Sequence, residues 1–209
     1  MTPPGLDVEQ LFGVGLPASD AEQNRLLDAA RAEFIAHGFR RTSVGDIARR
    51  AQVSRPTVYR RIGDKDEIVQ KVVVREVVSF FLAISAEVLT KPTPAEKAVE
   101  AFVLGVRESH RHPLVAALRT FEPETLTSFL NDHMTTMEPV RAAIAMAITG
   151  ESLPLDAALR AADMFIRIGA SLLMVPSDTL PIDTDEHARW FAQTYFPPII
   201  AASANPGPT

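Results

Sequence analysis

The chain has 209 residues, 46% apolar and 22% charged, with a formal net charge of -5 and no cysteine. This is the composition of a soluble globular protein, with room for one well-cored domain or a small domain attached to a larger one. It excludes disulfides, thiolate metal sites and cysteine nucleophiles, and it allows a reducing compartment.

In chain order, residues 1–19 are rich in Pro and Gly without helical periodicity and read as a flexible arm. Their start, MTPPGLDVEQLFG, has no basic stretch followed by an apolar run, and no apolar run in the chain approaches membrane-spanning length. The expected location is therefore cytoplasmic, with no membrane partner. A first helix starts near Asp20, with Leu26, Leu27, Ala30, Phe34 and Ile35 at helical spacing and His37-Gly38 as its stop. A second starts at Ser43, where Asp46 three residues on makes a variant capping box, and Val44, Ile47, Ala48 and Ala51 form one apolar face. After the turn AQVS, Ser54 caps a third helix with Pro56 in its first turn, where the missing N–H does no harm. Asp64 and Glu67 open a fourth helix that runs to about Thr90. Beyond the KPTP break the pattern predicts further helices over 94–111, 113–120, 123–134, 138–149, 155–175 and 184–196, punctuated by prolines and Gly150. No window alternates apolar and polar residues long enough to argue for a sheet, so the expected fold is all-α.

Charge is uneven along this order. Between Arg40 and Arg61 stand seven arginines and one acid, Asp46, a local net of +6. From Val72 onward 10 basic residues face 16 acidic ones. A basic segment on an acidic body suggests a localised site for a polyanion, with a solvated face as the bland alternative. The second and third helices, joined by a tight turn, make a helix-turn-helix spanning about 43–62. Val44, Ile47, Ala48, Val53, Val58 and Ile62 pack inward, which leaves Arg55, Thr57, Tyr59, Arg60 and Arg61 outside. In such a motif the start of the second helix enters the major groove of DNA. Arginine can grip a guanine edge, and Thr and Tyr hydroxyls can bind phosphate oxygens. The N-terminal ends of the second and fourth helices present free N–H groups to phosphates, and Lys65 sits at the latter.

The stretch AARAEFIAHGFRRTSVGDIARRAQVSRPTVYRRIGDKDEI resembles the N-terminal DNA-binding domain of the TetR family of bacterial transcriptional regulators. The likeness rests on Phe34, Gly38, Phe39, Thr42, Ser43, Val44, Ile47, Ala48, Ala51, Val53, Ser54, Thr57, Tyr59 and Lys65, across about 50 residues. It implies a homodimer bound to double-stranded operator DNA of pseudo-palindromic sequence. It also implies a helical C-terminal half that dimerises and binds an effector. The resemblance and the residue chemistry together nominate Thr42, Ser43, Arg55, Pro56, Thr57, Tyr59, Arg60 and Lys65 as DNA contacts. Three positions depart from the family pattern. Gln52 stands where Gly is usual in the turn, and a positive φ there carries about 1 kcal/mol of strain. Ile62 replaces an aromatic, and Pro56 a small residue, so base specificity does not carry over.

The expected organisation is an arm over 1–19, a DNA-binding domain over 20–80, a helical effector-binding and dimerisation domain over 81–200, and a tail over 201–209. The tail region from Asp156 to Ile199 is similar to the last two helices of actinobacterial members. Methionines and phenylalanines of this half read first as core. In the family context Phe102, Val106, Phe121, Met137, Met146 and Phe165 are candidate lining for a small apolar or amphipathic effector. Arg107 and Arg167 are solvated or paired charges, or else a handle for an anionic group. Ile166, Gly169, Leu173, Trp190, Phe191 and Tyr195 are candidate dimer contacts, with packing inside one chain as the alternative. His110, His112 and His133 suggest a metal only superficially. Histidines at i and i+2 lie on different helix faces, and no cysteine or carboxylate set completes a site. Neither a metal nor a cofactor is expected. Without an acid/base pair, nucleophile motif or glycine-rich phosphate loop the chain reads as a regulator rather than an enzyme. A repressor released by ligand is the first reading; an activator, an orphan regulator, or a helical carrier or enzyme are the rivals.

Overall fold

The computed structural model describes residues 20–122 and 138–205, and these residues form helices with one isolated bridge, Gly150–Leu153, and no strand. The fold is all-α. The helices are α1 (Ala21–His37), α2 (Val44–Arg50), α3 (Arg55–Ile62), α4 (Lys65–Leu89), α5 (Pro94–Arg111), α6 (Pro113–Phe121), α7 (Glu138–Ile148), α8 (Leu155–Met174) and α9 (Asp185–Ser203). The arm over 1–19, the helix expected over 123–134, and Met137 lie outside the described residues. Two compact units result: Met1–Ser79 with His112–Asp132, and Phe80–Arg111 with His133–Thr209. Residues 65–79 of α4 belong to the first and 80–89 to the second.

The first unit is organised by its caps. Asp20 accepts the N–H groups of Glu22 and Gln23 at the start of α1. Ser43 and Asp46 form a complete capping box on α2. Ser54 caps α3 with Pro56 in the first turn. At α4, Asp64 N–H donates to Glu67 at 2.9 Å while Glu67 N–H donates to Asp64 at 3.0 Å. Each cap satisfies backbone donors that a short helix otherwise leaves bare. The apolar stripes then meet: Leu26, Phe34, Ile47, Val58, Ile62, Ile68 and Val72 are fully buried. Phe34 and Phe39 stack with ring centroids 4.5 Å apart. Gln52 does hold a positive φ of 57°, which is the strained turn the sequence implied.

Residues 112–122, expected within the C-terminal domain, instead cluster with this first unit. The reason is a short apolar stripe: Leu114, Ala117 and Leu118 recur at i, i+3 and i+4 and α6 packs on α1. Gly38 makes the approach possible. Its φ is 83°, and a Cβ there would stand 2.9 Å from both Phe121 Cβ and Glu122 Oε1. Buried Glu122 accepts the N–H of Arg40.

The second unit packs α5, α7, α8 and α9 around one core. Ala157, Ala158, Ala161 and Ala162 give α8 a smooth buried face. Phe102, Phe165, Phe191 and Phe196 fill the space beside it; Phe165 and Phe196 stack at 3.9 Å. Ion pairs flank this core. Glu100, 4% exposed, receives both guanidinium nitrogens of Arg189, and Lys91 stands 3.3 Å away. Arg107 holds Asp185 through two nitrogens. The last helix was expected to end at 196 before Pro197 and a flexible tail to follow from 201, but α9 continues through Pro197 and Pro198 to Ser203. Burial of Phe196 and partial burial of Ile199 and Ile200 against the core outweigh the lost hydrogen bonds, and Arg160 donates twice to the Ser203 carbonyl at the new end. Among the described residues no helix is long and apolar enough to cross a membrane.

Candidate nucleic-acid interface

The basic segment sorts itself by partner. Arg50 is bound to buried Glu33, Arg49 to Asp46, and Arg61 to Asp20 and Glu22. These arginines are part of the frame. Among the described residues Arg41, Arg55 and Arg60 have no hydrogen bond or ion pair, and all three are exposed. A guanidinium without a carboxylate at neutral pH is a cation awaiting an anion. Arg41 was not among the contacts the sequence nominated. No acid stands three or four places from it, but the same is true of Arg40, which has a partner, so no local signal in the sequence singles Arg41 out.

The polar residues nominated around them have different fates. Tyr59 projects from α3 with 53% of its surface exposed. Thr57 Oγ1 lies 2.9 Å from Ser54 Oγ, and Pro56 is exposed beside it. Lys65 Nζ donates to the Arg40 carbonyl at 2.8 Å, and an ammonium keeps two further donors. Ser43 uses its hydroxyl on Asp46, donating to Oδ2 at 2.6 Å and accepting the Asp46 N–H at 3.3 Å. Thr42 is placed elsewhere: it is 2% exposed and its hydroxyl donates to the Gly38 carbonyl at 2.7 Å. Its side chain braces the turn between α1 and α2.

Asp46 is the one acid in this basic run. The Ser43 hydroxyl, then the Ser43 N–H, then Arg49 lower its pKa from 3.8 to about 2, against the opposing effect of partial burial. It stays ionised, and both its oxygens are engaged.

An α1–α3 unit with a capped helix-turn-helix and an arginine-rich outer face is the arrangement of an all-α DNA-binding segment. Residues 26–72 match the family described as bacterial regulatory proteins, tetR family. That match takes in the helix-turn-helix, and over this segment the chain is similar to the DNA-binding part of that family. The fold agrees across most of its length with solved structures. The TetR family repressor AlkX from Dietzia, implicated in biodegradation of n-alkanes, is 20% identical, with a TM-score of 0.65 over 85% of this chain and 94% of that one. A protein described as a TetR-family transcriptional regulator from Mesorhizobium loti is 18% identical, with a TM-score of 0.58 over 87% and 96%. The fatty acid degradation regulator FadR from Bacillus halodurans is 13% identical, with a TM-score of 0.54 over 88% and 95%. No curated protein matches the chain in sequence.

The nominated effector residues do not all converge. Phe102, Val106 and Phe165 meet in the core of the second unit. Met146 is 42% exposed, and Phe121 lies in the first unit. Arg107 is paired with Asp185, and Arg167 with Asp163 at 2.6 Å. Of the nominated dimer residues, Phe191 is core and Gly169 faces the Phe102 ring of its own chain, 3.1 Å from where a Cβ would stand. Ile166 and Leu173 are half-buried. Trp190 and Tyr195 are exposed and pack edge to face, with ring centroids 6.4 Å apart.

Proposed function

We propose that the protein is a repressor which binds a pseudo-palindromic operator as a homodimer and is released by a small, largely apolar or amphipathic molecule. The observation that carries the DNA half of this reading is the set of exposed arginines, Arg41, Arg55 and Arg60, left without carboxylate partners beside Tyr59 and Thr57. In this reading Arg55 reads a base edge, while Tyr59, Thr57 and Lys65 hold phosphates. One helix-turn-helix covers a half-site, so two-fold DNA calls for a two-fold protein. Exposed Trp190 and Tyr195, with Ile166 and Leu173 on the preceding helix, support α8 and α9 as the self-association face. Phe102, Val106 and Phe165 support an apolar effector site in the second unit. Release follows if the effector prefers a conformation with the wrong separation of recognition helices; a tenfold loss of DNA affinity needs about 1.4 kcal/mol of coupling.

Gel-shift titration against the DNA upstream of its own gene, across a range of salt, tests the reading. Specific, salt-sensitive binding that an apolar compound relieves is the expected outcome. Salt-independent binding, or none, removes the DNA half. Compounds that stabilise the protein yet leave DNA affinity unchanged remove the release mechanism and favour a carrier.

A further inference from the structure

Gly45 occupies the second position of α2, where glycine weakens a helix relative to alanine. Its backbone gives no reason for glycine, since positive φ among described glycines is confined to Gly38 and Gly63. The reason is space. A Cβ on Gly45 would stand 2.7 Å from Arg55 Nε and 2.8 Å from Cζ, with Nη2 nearer still. The guanidinium of Arg55 thus lies in the room that a side chain at position 45 would fill. No ion pair holds it there. Asp46, the only acid between residues 40 and 61, has Oδ2 bound to Ser43 and Oδ1 to Arg49.

We infer that Gly45 is a specificity-determining residue: it seats the Arg55 guanidinium against the first turn of α2 and so sets which base edge that arginine meets. The inference rests on the DNA-reading role proposed for Arg55. A guanidinium is a rigid planar fork, and its discrimination between bases depends on its orientation. Seating the fork before DNA arrives reduces the ordering needed on binding. Any side chain at position 45 displaces the far end of a flexible arginine rather than backbone. The fold therefore tolerates the change while the reading head moves.

The experiment first selects preferred sites from a random DNA pool with the native protein. Affinities of the native chain, Gly45→Ala, Arg55→Ala and the double variant are then measured on the selected site and on single-base variants of it. Gly45→Ala is expected to melt no lower than the native protein and to lose roughly tenfold in affinity for the selected site. It should lose discrimination at the same base position as Arg55→Ala, and the double variant should lose no more than Arg55→Ala alone. Affinity for unrelated DNA should stay within about twofold. The Arg55 Nε–Hε resonance of the free protein should shift in Gly45→Ala, a readout independent of DNA. If the native protein selects a site and Gly45→Ala discriminates as well as it does, the inference fails while the regulator reading stands. Additive losses in the double variant also overturn it, since Gly45 would then act on something other than Arg55. A native protein that selects no sequence overturns both.

Discussion

Arginines in the basic run divide by whether a carboxylate reaches them, and the two groups should respond differently to removal. Arg41→Ala and Arg60→Ala leave no carboxylate behind. Each should weaken binding to all DNA sequences alike and lower the salt slope of log affinity by about 1, measured by fluorescence anisotropy across salt. Arg50→Ala should act through stability instead, because it strips the charged partner from Glu33, which is only 8% exposed. A loss of about 2 kcal/mol in urea unfolding is expected, the scale of a hydrogen bond to a charged group. Thr42 provides a sharper contrast. Thr42→Val leaves the Gly38 carbonyl without its donor, so about 1 kcal/mol of stability should go while the DNA salt slope is unchanged.

Helix ends decide the elements. α2 has only seven residues, too few to persist without its capping box. Ser43→Ala should cost about 1 kcal/mol in thermal or urea unfolding. The same box carries a pH signature. Asp46 titrates at about 2 in the fold against an ordinary 3.8, so its contribution is complete above the ordinary value and disappears as pH falls towards 2. Acid titration of Asp46→Asn should therefore lack a component that the native chain shows in that window. In the second unit Arg189 holds the Glu100 carboxyl below its usual range, through hydrogen bonds first and charge second. Its stabilising contribution is likewise present at neutral pH and lost on acidification. Arg189→Ala should destabilise the packing of α5 on α9 by about 2 kcal/mol at neutral pH, and by less as Glu100 is protonated.

At the scale of the whole molecule the described residues form two apolar cores, one in each unit. Phe196 is the hub of the second, fully buried and against the rings of Phe102, Phe165 and Phe191. Phe196→Ala should cost about 3–5 kcal/mol, read as a lower denaturation midpoint. Assembly is the other whole-molecule question. Light scattering without DNA should give about twice the 22.8 kDa of one chain. Trp190→Glu, at an exposed position, should shift that mass towards the monomer without lowering the stability of the second unit.

The helix-turn-helix was legible because its determinants are local. Ser43 with Asp46, Ser54 with Pro56, and the apolar spacing of Val44, Ile47, Val58 and Ile62 act within a few residues of themselves. Their caps and periodicity place the elements whatever surrounds them, and the outward arginines follow. Three features depended on how the chain folds. Thr42 looks like a DNA contact by spacing, but only the folded turn offers its hydroxyl the carbonyl of Gly38. Pro197 and Pro198 look like a stop, yet α9 passes through them because the core rewards burial of Phe196 and the residues after it. The stretch 112–122 carries an apolar stripe that fits either unit by pattern alone. Packing on α1, with Gly38 leaving room for Phe121 and Glu122, assigned it to the first. Backbone caps and periodicity are short-range and written in sequence; the choice among equally apolar partners is made by shape, which exists only once the chain has folded.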